Sequence, residues 1–157
     1  MYDYAAKVRG KEQSDVLQLL VEEVSRTMNV PASVWVPDER DNALRIAAAV
    51  GLPFSYVRQA YLPLDEISLT GEAFQSGEIT IAHDIQSDPR WRHKEEAQEM
   101  GWRSVLCVPI KAHGSVIGVI SIYTFVSRDF SDLEIQRLTQ YATQVSLATE
   151  SDRRKGT

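Results

Sequence analysis

Two adjacent β-prone segments, residues 104–110 and 116–125, constrain the fold of this chain more than any other feature. Both are rich in valine and isoleucine, and the linker Lys111–Gly114 ends in a glycine that suits a tight turn. The pattern predicts an antiparallel hairpin in the middle of a sheet. Proline has no N–H to donate, so Pro109 predicts a bulge or an unpaired edge position in the first strand.

A second hairpin is predicted nearer the N-terminus. Its strands are Ser33–Val36 and Ala43–Val50, and the segment between them is rich in turn-forming residues. Leu44, Ile46 and Ala48 alternate with other residues along the second strand. Because side chains alternate across a strand, these three are predicted to share one face.

Helical patterns bracket the two hairpins. Residues 12–28 repeat apolar side chains at helical spacing, and the apolar arc suits either one broad buried face or an additional contact with a partner subunit. Near the other end, Ser131 and Glu134 form a capping box, and Phe130 is placed to staple onto Ile135. A long C-terminal helix is therefore predicted.

The residues between the hairpins, 51–103, alternate short helical and extended patterns. A short helix or loop is predicted after Pro53, a short helix over Thr70–Gln75 and a strand over 78–82. Antiparallel hairpins flanked by terminal helices predict an α+β fold with a central antiparallel sheet and both terminal helices on one face. The segment 51–103 is then expected to cover a ligand pocket on the other face.

Composition restricts the classes of function. A length of 157 residues predicts a single domain over 1–157, with a core of about 12–150. The net charge of -5, with acids and bases interspersed, argues against nucleic acid as a partner. The apolar runs are shorter than the ~20 residues of a membrane helix, and the N-terminus does not resemble a signal peptide. One cysteine and scattered histidines predict a cytoplasmic protein without a disulfide or a dedicated metal site.

Several short strings, taken in order, resemble one protein family. They are VGLP at 50–53, GEAFQSGEITIAHDIQSDPRW at 71–91, GWRSVLCVPI at 101–110, GSVIGVISIY at 114–123 and DFSDLE at 129–134. This series resembles the GAF family, particularly the domains of bacterial sensor kinases, cyclases and transcriptional regulators. The resemblance implies a PAS-related sheet with a ligand cavity on the face away from the terminal helices. It also implies a homodimer formed through those helices and an output domain, linked or separate.

Three subclasses of the GAF family carry residues that differ here. Bilin-binding members attach their chromophore to a cysteine in the covering segment, and 51–103 contains none, which argues against a covalent bilin. Members that bind cyclic GMP carry an Asn-Lys pair where this chain has Tyr123–Phe125, although Phe130 and Glu134 are kept. Free methionine sulfoxide reductases use two cysteines, and this chain has only Cys107. The cofactor is left open, haem included.

The candidate ligand-binding residues lie in the covering segment and at the start of the strand after it. They are Phe74, His83, Asp84, Asp88, Arg90, Trp91, Trp102, Ser104 and Cys107. A guanidinium can hold a carboxylate or phosphate in bidentate fashion, and an indole can stack on a planar ligand. A structural interpretation stands beside this one: Asp88 caps a helix that Pro89 begins, Arg90 pairs with Asp84, and Trp91 covers the core.

The remaining candidates also have two interpretations. His83 and His93 suit proton sensing or haem ligation, or are ordinary structural histidines. Cys107 is either a buried small hydrophobe or a reactive thiol. Phe74, Trp102 and Ser104 line a cavity wall or belong to the core.

The predicted function is that of a non-catalytic sensory domain. It would bind a small molecule and signal through its terminal helices in a dimer, as in two-component systems. No triad order, nucleophile elbow or phosphate-binding loop is found in the sequence, so no catalytic residue is predicted. Two alternatives are a ligand-free dimerisation or interaction module and an enzyme resembling free methionine sulfoxide reductase.

Overall fold

Two hairpins joined side by side form the centre of the sheet. The computed structural model describes the backbone of residues 4–155 and the side chains of residues 15–150. The strands are β1 (Ala32–Asp38), β2 (Ala43–Val50), β3 (Leu62–Pro63), β4 (Thr80–Ala82), β5 (Val105–Ala112) and β6 (Ser115–Tyr123). They form a six-stranded sheet in the order β3-β2-β1-β6-β5-β4, and every pairing is antiparallel. Both predicted hairpins and the antiparallel sheet are confirmed.

The two long helices lie on one face of this sheet, as predicted. The helices are α1 (Tyr4–Met28), α2 (Phe54–Gln59), α3 (Leu69–Ser76), α4 (Lys94–Met100) and α5 (Asp132–Lys155). Val21 and Val24 of α1 pack in one apolar cluster with Leu138 of α5 and with Val34 and Ile120 of the sheet. The short helices α2, α3 and α4 belong to the covering segment on the opposite face. No described helix carries an apolar stretch long enough to span a membrane.

The turn between β5 and β6 has the geometry of a tight hairpin. His113 and Gly114 adopt left-handed conformations, with φ of 53° and 79°, and the strands pair on either side of them. Pro109 lies beyond Val105–Cys107, the part of β5 that pairs with β4. Among the described residues Pro109 is therefore unpaired on this side, as predicted, while on the other side it pairs with Val119 of β6.

An extra residue interrupts the alternation of β2. The register against β1 shifts beside Trp35 and leaves Ala47 as a bulge. Leu44 and Ile46 therefore pack on the same side as Trp35, whereas Ala48 packs against the terminal helices. The prediction that Leu44, Ile46 and Ala48 share one face is wrong, because one inserted residue reverses the alternation beyond it.

The start of α4 also differs from its prediction. The carboxylate of Asp88 accepts the backbone N–H of Arg90 at 2.9 Å, and the Asp88 carbonyl accepts that of Trp91 at 3.1 Å. These bonds form a turn, and the Arg90 carbonyl is tied to the N–H of Leu69 at 3.0 Å. Asp88 is therefore not a helix cap. The helix begins only at Lys94, because contacts with the rest of the fold hold the residues before it.

Local signals set the ends of α3 and α5. The Ser131 hydroxyl accepts the N–H of Glu134 at 3.1 Å, and the Glu134 carboxylate accepts the N–H of Ser131 at 2.9 Å, which confirms the capping box. Ser68 caps α3 by accepting the N–H of Gly71 at 2.9 Å. Gly77 ends this helix in a left-handed conformation.

Candidate functional site

A set of aromatic side chains occupies the space between the sheet and the covering segment. Trp35, Tyr56, Trp91, Trp102 and Tyr123 are each at most 7% exposed. These five rings and the imidazole of His93 are called the aromatic cluster below. The ring of Trp102 lies with its centroid 5.3 Å from those of Tyr56 and Tyr123, and Trp91 meets Tyr123 edge-on at 6.2 Å. Edge-on and tilted contacts of this kind are the favoured geometries of aromatic pairs.

One hydroxyl serves the polar atoms at the base of the aromatic cluster. Ser33 lies two residues before Trp35 on β1, so both side chains point to the same face. The Trp35 indole N–H donates to the Ser33 hydroxyl at 3.1 Å, and the Tyr123 hydroxyl lies 2.7 Å from the same oxygen. All three residues are fully buried, and burial raises the pKa of Tyr123. The phenol is therefore neutral and its hydrogen bonding is satisfied.

The indole nitrogen of Trp102 is the exception in this region. Trp102 is fully buried, and its Nε1 has no hydrogen-bond partner among the described residues. Its backbone is held firmly, with its N–H bonded to Ala97 at 3.0 Å and its carbonyl bonded to Gln86 at 3.1 Å. A buried unpaired donor costs about 1–3 kcal/mol. An acceptor atom brought to this N–H would recover that free energy.

His93 closes one side of the aromatic cluster. Its Nδ1 lies 2.8 Å from the Tyr56 hydroxyl, and its ring stacks over Trp35 at 6.4 Å with an interplanar angle of 13°. Burial lowers the pKa of His93, and the nearby carboxylate of Glu96 partly opposes that effect. The imidazole is therefore neutral at pH 7 and can exchange a hydrogen bond with the phenol.

Ion pairs surround the aromatic cluster at the protein surface. Asp84 pairs with Arg103, whose Nε lies 3.0 Å from the carboxylate, and this guanidinium holds the pKa of Asp84 below its usual value. Arg90 pairs with Asp88 at 2.8 Å and with Glu72 at 3.2 Å, and it lowers the pKa of Asp88 in the same way. The prediction that Arg90 pairs with Asp84 is wrong, because the fold places Arg103 beside Asp84 instead.

Two of the predicted ligand-binding residues lie away from the aromatic cluster. The side chain of His83 is 62% exposed, and its Nδ1 lies 3.2 Å from the carboxylate of Asp129. The hydroxyl of Ser104 is buried and bonded to backbone groups, accepting the N–H of Arg128 at 2.8 Å and donating to the His83 carbonyl. The Ser104 hydroxyl thus joins the backbone at His83 to the backbone at Arg128.

Cys107 is buried beneath the covering segment. Its sulfur accepts a hydrogen bond from the Ser121 hydroxyl at 3.3 Å, and the Thr70 hydroxyl lies at 3.9 Å. Burial raises the pKa of the thiol, so it is protonated at neutral pH. Phe74 is half-buried and packs against the apolar cluster that contains Cys107, Trp91 and Trp102.

The structure therefore brings together only part of the predicted site. The predicted site residues that meet in one apolar cluster are Phe74, Trp91, Trp102 and Cys107. Asp84, Asp88 and Arg90 are engaged in ion pairs at its margin. The residues considered from sequence omitted Trp35, Tyr56 and Tyr123, whereas His93 was considered for proton sensing or haem ligation. The sequence signal for Trp35 and Tyr123 is an aromatic residue in a strand that has no other aromatic residue.

Solved structures share this fold along most of the chain. The GAF domain of an Acinetobacter phosphoenolpyruvate-protein phosphotransferase is 25% identical, with a TM-score of 0.74 over 92% of this chain and 85% of that one. The type II free methionine-R-sulfoxide reductase of Thermoplasma acidophilum is 19% identical, with a TM-score of 0.73 over 87% and 92%. The blue-light absorbing form of the Thermosynechococcus elongatus PixJ GAF domain is 19% identical, with a TM-score of 0.74 over 93% and 89%.

The amino-acid pattern of the chain points to the same family as its fold. The family described as the GAF domain matches residues 10–150, a range that contains every strand and the covering segment. Because this match spans most of the sequence and the fold agrees with it, the chain belongs to the GAF domain family.

Proposed function

We propose that this chain is a non-catalytic regulatory GAF domain of a signalling protein, which binds a small planar molecule against the aromatic cluster. The unpaired indole N–H of Trp102 carries the proposal. A planar ligand with an acceptor atom would stack on the neighbouring rings and accept this hydrogen bond. A signalling role is supported by the fold, which this chain shares with a GAF domain of a phosphotransferase and with that of PixJ in a blue-light absorbing form.

The strands offer a route from the ligand to the terminal helices. Trp35 faces the aromatic cluster, and the preceding residue, Val34, faces the core beneath α1 and α5. Cys107 and Leu106 alternate in the same way on β5. Because neighbouring side chains lie on opposite faces of one strand, a ligand that displaces Trp35 would also move Val34 against the helices.

Cys107 supports a binding role over a thiol-based reaction. The thiolate is the reactive form of cysteine, and it requires access to solvent. Cys107 is fully buried, and its pKa is raised by that burial. The chain shares its fold with the Thermoplasma acidophilum reductase. A buried, protonated cysteine nevertheless favours a regulatory domain over a thiol-based enzyme.

The ligand proposal predicts a different response from two neighbouring tryptophans. Adenine, cyclic GMP, riboflavin and haem serve as probes, and a probe that binds only the folded chain raises its melting temperature. Trp102→Phe is expected to weaken binding of such a probe by about tenfold, because one hydrogen bond of about 1.4 kcal/mol is lost. Differential scanning fluorimetry over a range of probe concentrations measures this change.

Trp91→Phe is the matched control for that experiment. The Trp91 indole N–H already donates to the His93 carbonyl at 3.2 Å, so it is not available to a ligand. Binding should be weakened less in this variant than in Trp102→Phe. Equal losses in both variants would contradict a role for the Trp102 N–H.

A second candidate function is a ligand-free dimerisation module. The observation that favours it is the filling of the space beneath the covering segment by buried aromatic rings. Such a domain would gain no thermal stability from any of the four probes. It would still use the terminal helices as a dimer interface.

Both candidate functions place the dimer interface on α1 and α5. The Thr27 hydroxyl of α1 lies 3.1 Å from the Tyr141 hydroxyl of α5, and Leu19, two turns earlier in α1, shares a groove with Val145, one turn later in α5. The two helices therefore run antiparallel. Leu19 is 66% exposed, and Val16 beside it is 48% exposed. A second copy of the chain would bury both side chains.

Leu19→Lys is expected to shift the protein from dimer to monomer. A lysine at the centre of an apolar interface loses the buried leucine contact and introduces a charge that must be desolvated. Sedimentation equilibrium measures the dissociation constant, which should rise at least about tenfold. Ile67→Lys is the control, because Ile67 is 73% exposed and lies in the covering segment. A dimer unaffected by Leu19→Lys would place the interface elsewhere.

A further inference from the structure

His93 connects several elements that cover the aromatic cluster. Its side chain contacts Tyr56 of α2 and stacks on Trp35 of β1. Its carbonyl accepts the N–H of Ala97 at 3.1 Å, in the first turn of α4, and the indole N–H of Trp91 at 3.2 Å. One residue thus joins α2, the start of α4 and the sheet.

We propose that protonation of His93 releases α2 from the aromatic cluster, so that acidification opens the covering segment. The imidazole ring lies between an aromatic ring of the sheet and the phenol of Tyr56. Placing a positive charge there requires solvation, which the surrounding rings do not supply. Moving α2 away would admit water to the imidazolium.

The charged and titratable groups around His93 come from four parts of the fold. The carboxylate of Glu96 in α4 favours the protonated form of His93, and the guanidinium of Arg92, the residue before His93, disfavours it. Tyr56 of α2 is neutral because burial raises its pKa well above the usual value, and the same holds for Tyr123 of β6 beneath it. Glu96 is thus the carboxylate that favours the imidazolium, and burial outweighs it, so the pKa of His93 is lowered.

The direction of the pH effect follows from that lowering. In the open state His93 titrates near its ordinary pKa of about 6.5, and in the closed state it titrates at a lower pH. The open state therefore binds more protons, and the closed state loses stability as the pH falls from about 6.5 to the lowered value. Asp84, Asp88 and Glu134 have pKa values lowered from ranges near 4, so they contribute only at more acidic pH.

Two measurements on the full chain test the proposal together. A nuclear magnetic resonance titration of the histidine side chains gives the pKa of His93. Hydrogen exchange, corrected for intrinsic rates, gives the opening of α2 through the amides of Val57 and Ala60, which bond within this helix. Between about pH 7.5 and a pH below the measured pKa, the protection of these amides should fall. The expected fall equals the ratio of the acid dissociation constants of His93 in the closed and open states.

Two variants separate His93 from other titrating groups. His93→Gln keeps a polar side chain that does not titrate in this range, and the protection of α2 should become independent of pH between about 7.5 and 5. His83→Gln should retain the behaviour of the unmodified chain, since His83 is exposed and does not contact the aromatic cluster. Persistence of the pH effect in His93→Gln, or its loss in His83→Gln, overturns the proposal.

The nuclear magnetic resonance titration decides the matter even if His93→Gln does not fold. The proposal requires His93 of the unmodified chain to titrate below the ordinary histidine pKa of about 6.5. A His93 midpoint at or above that value would rule out acid-driven release of α2. Protection of α2 that stays constant across the titration of His93 would rule it out as well.

Discussion

Replacing Gly118 with alanine is expected to lower the free energy of unfolding by about 3 kcal/mol. A Cβ at this position of β6 would lie 2.7 Å from the backbone carbonyl oxygen of Trp35 on β1, and backbone cannot rotate away as a side chain can. The two central strands would have to separate locally, and Trp35 would shift within the aromatic cluster. For a chain of this length, about 3 kcal/mol corresponds to a fall in melting temperature of roughly 6–12 °C.

Urea denaturation of Gly118→Ala measures this loss, and Ser115→Thr provides its control. Ser115 lies at the exposed start of the same strand, so an added methyl group there meets no neighbouring backbone. The control should stay within about 0.5 kcal/mol of the unmodified chain. A similarly small change in Gly118→Ala would mean that β1 and β6 do not approach as closely as described.

Ser33→Ala is expected to cost about 3 kcal/mol, although it removes only one oxygen atom. The Ser33 hydroxyl accepts the Trp35 indole N–H and bonds to the Tyr123 hydroxyl, and all three residues are fully buried. Its removal leaves two buried polar groups without partners, each worth about 1–3 kcal/mol. Urea denaturation gives the free energy, and near-ultraviolet circular dichroism reports the environment of the aromatic cluster.

A double-mutant cycle separates this network from a simple packing effect. Tyr123→Phe removes the phenol, so in that background Ser33→Ala leaves only the Trp35 indole without a partner. The combined loss should be smaller than the sum of the single losses by at least about 1 kcal/mol. Strict additivity would show that the two hydroxyls do not interact in solution.

Features governed by neighbouring residues were predictable from the sequence. The capping box of Ser131 and Glu134 forms because its two hydrogen bonds join residues three positions apart. Gly77 ends α3 because a left-handed conformation strains most other residues. The hairpin of β5 and β6 likewise follows from alternating apolar residues and a short turn.

Features that depend on distant partners were not predictable in this way. Pairing with β1 places the bulge at Ala47, and no glycine or proline stands at that position to announce it. Asp88 has the residue type of a helix cap, yet its turn is fixed by a bond between Arg90 and Leu69, which are 21 positions apart. The two-residue strand β3 is too short to carry a periodic pattern and forms only because β2 lies beside it.

The candidate site shows the same division most clearly. By itself, the sequence determined the antiparallel sheet, the two terminal helices and a covering segment, because apolar periodicity and turn residues act over short distances. Only the tertiary structure decided that Arg103 pairs with Asp84, that His93 stacks on Trp35 and that Tyr56 meets Trp102. These contacts join separate strands, helices and loops, and the packing of one sheet face decides which side chains share the buried space.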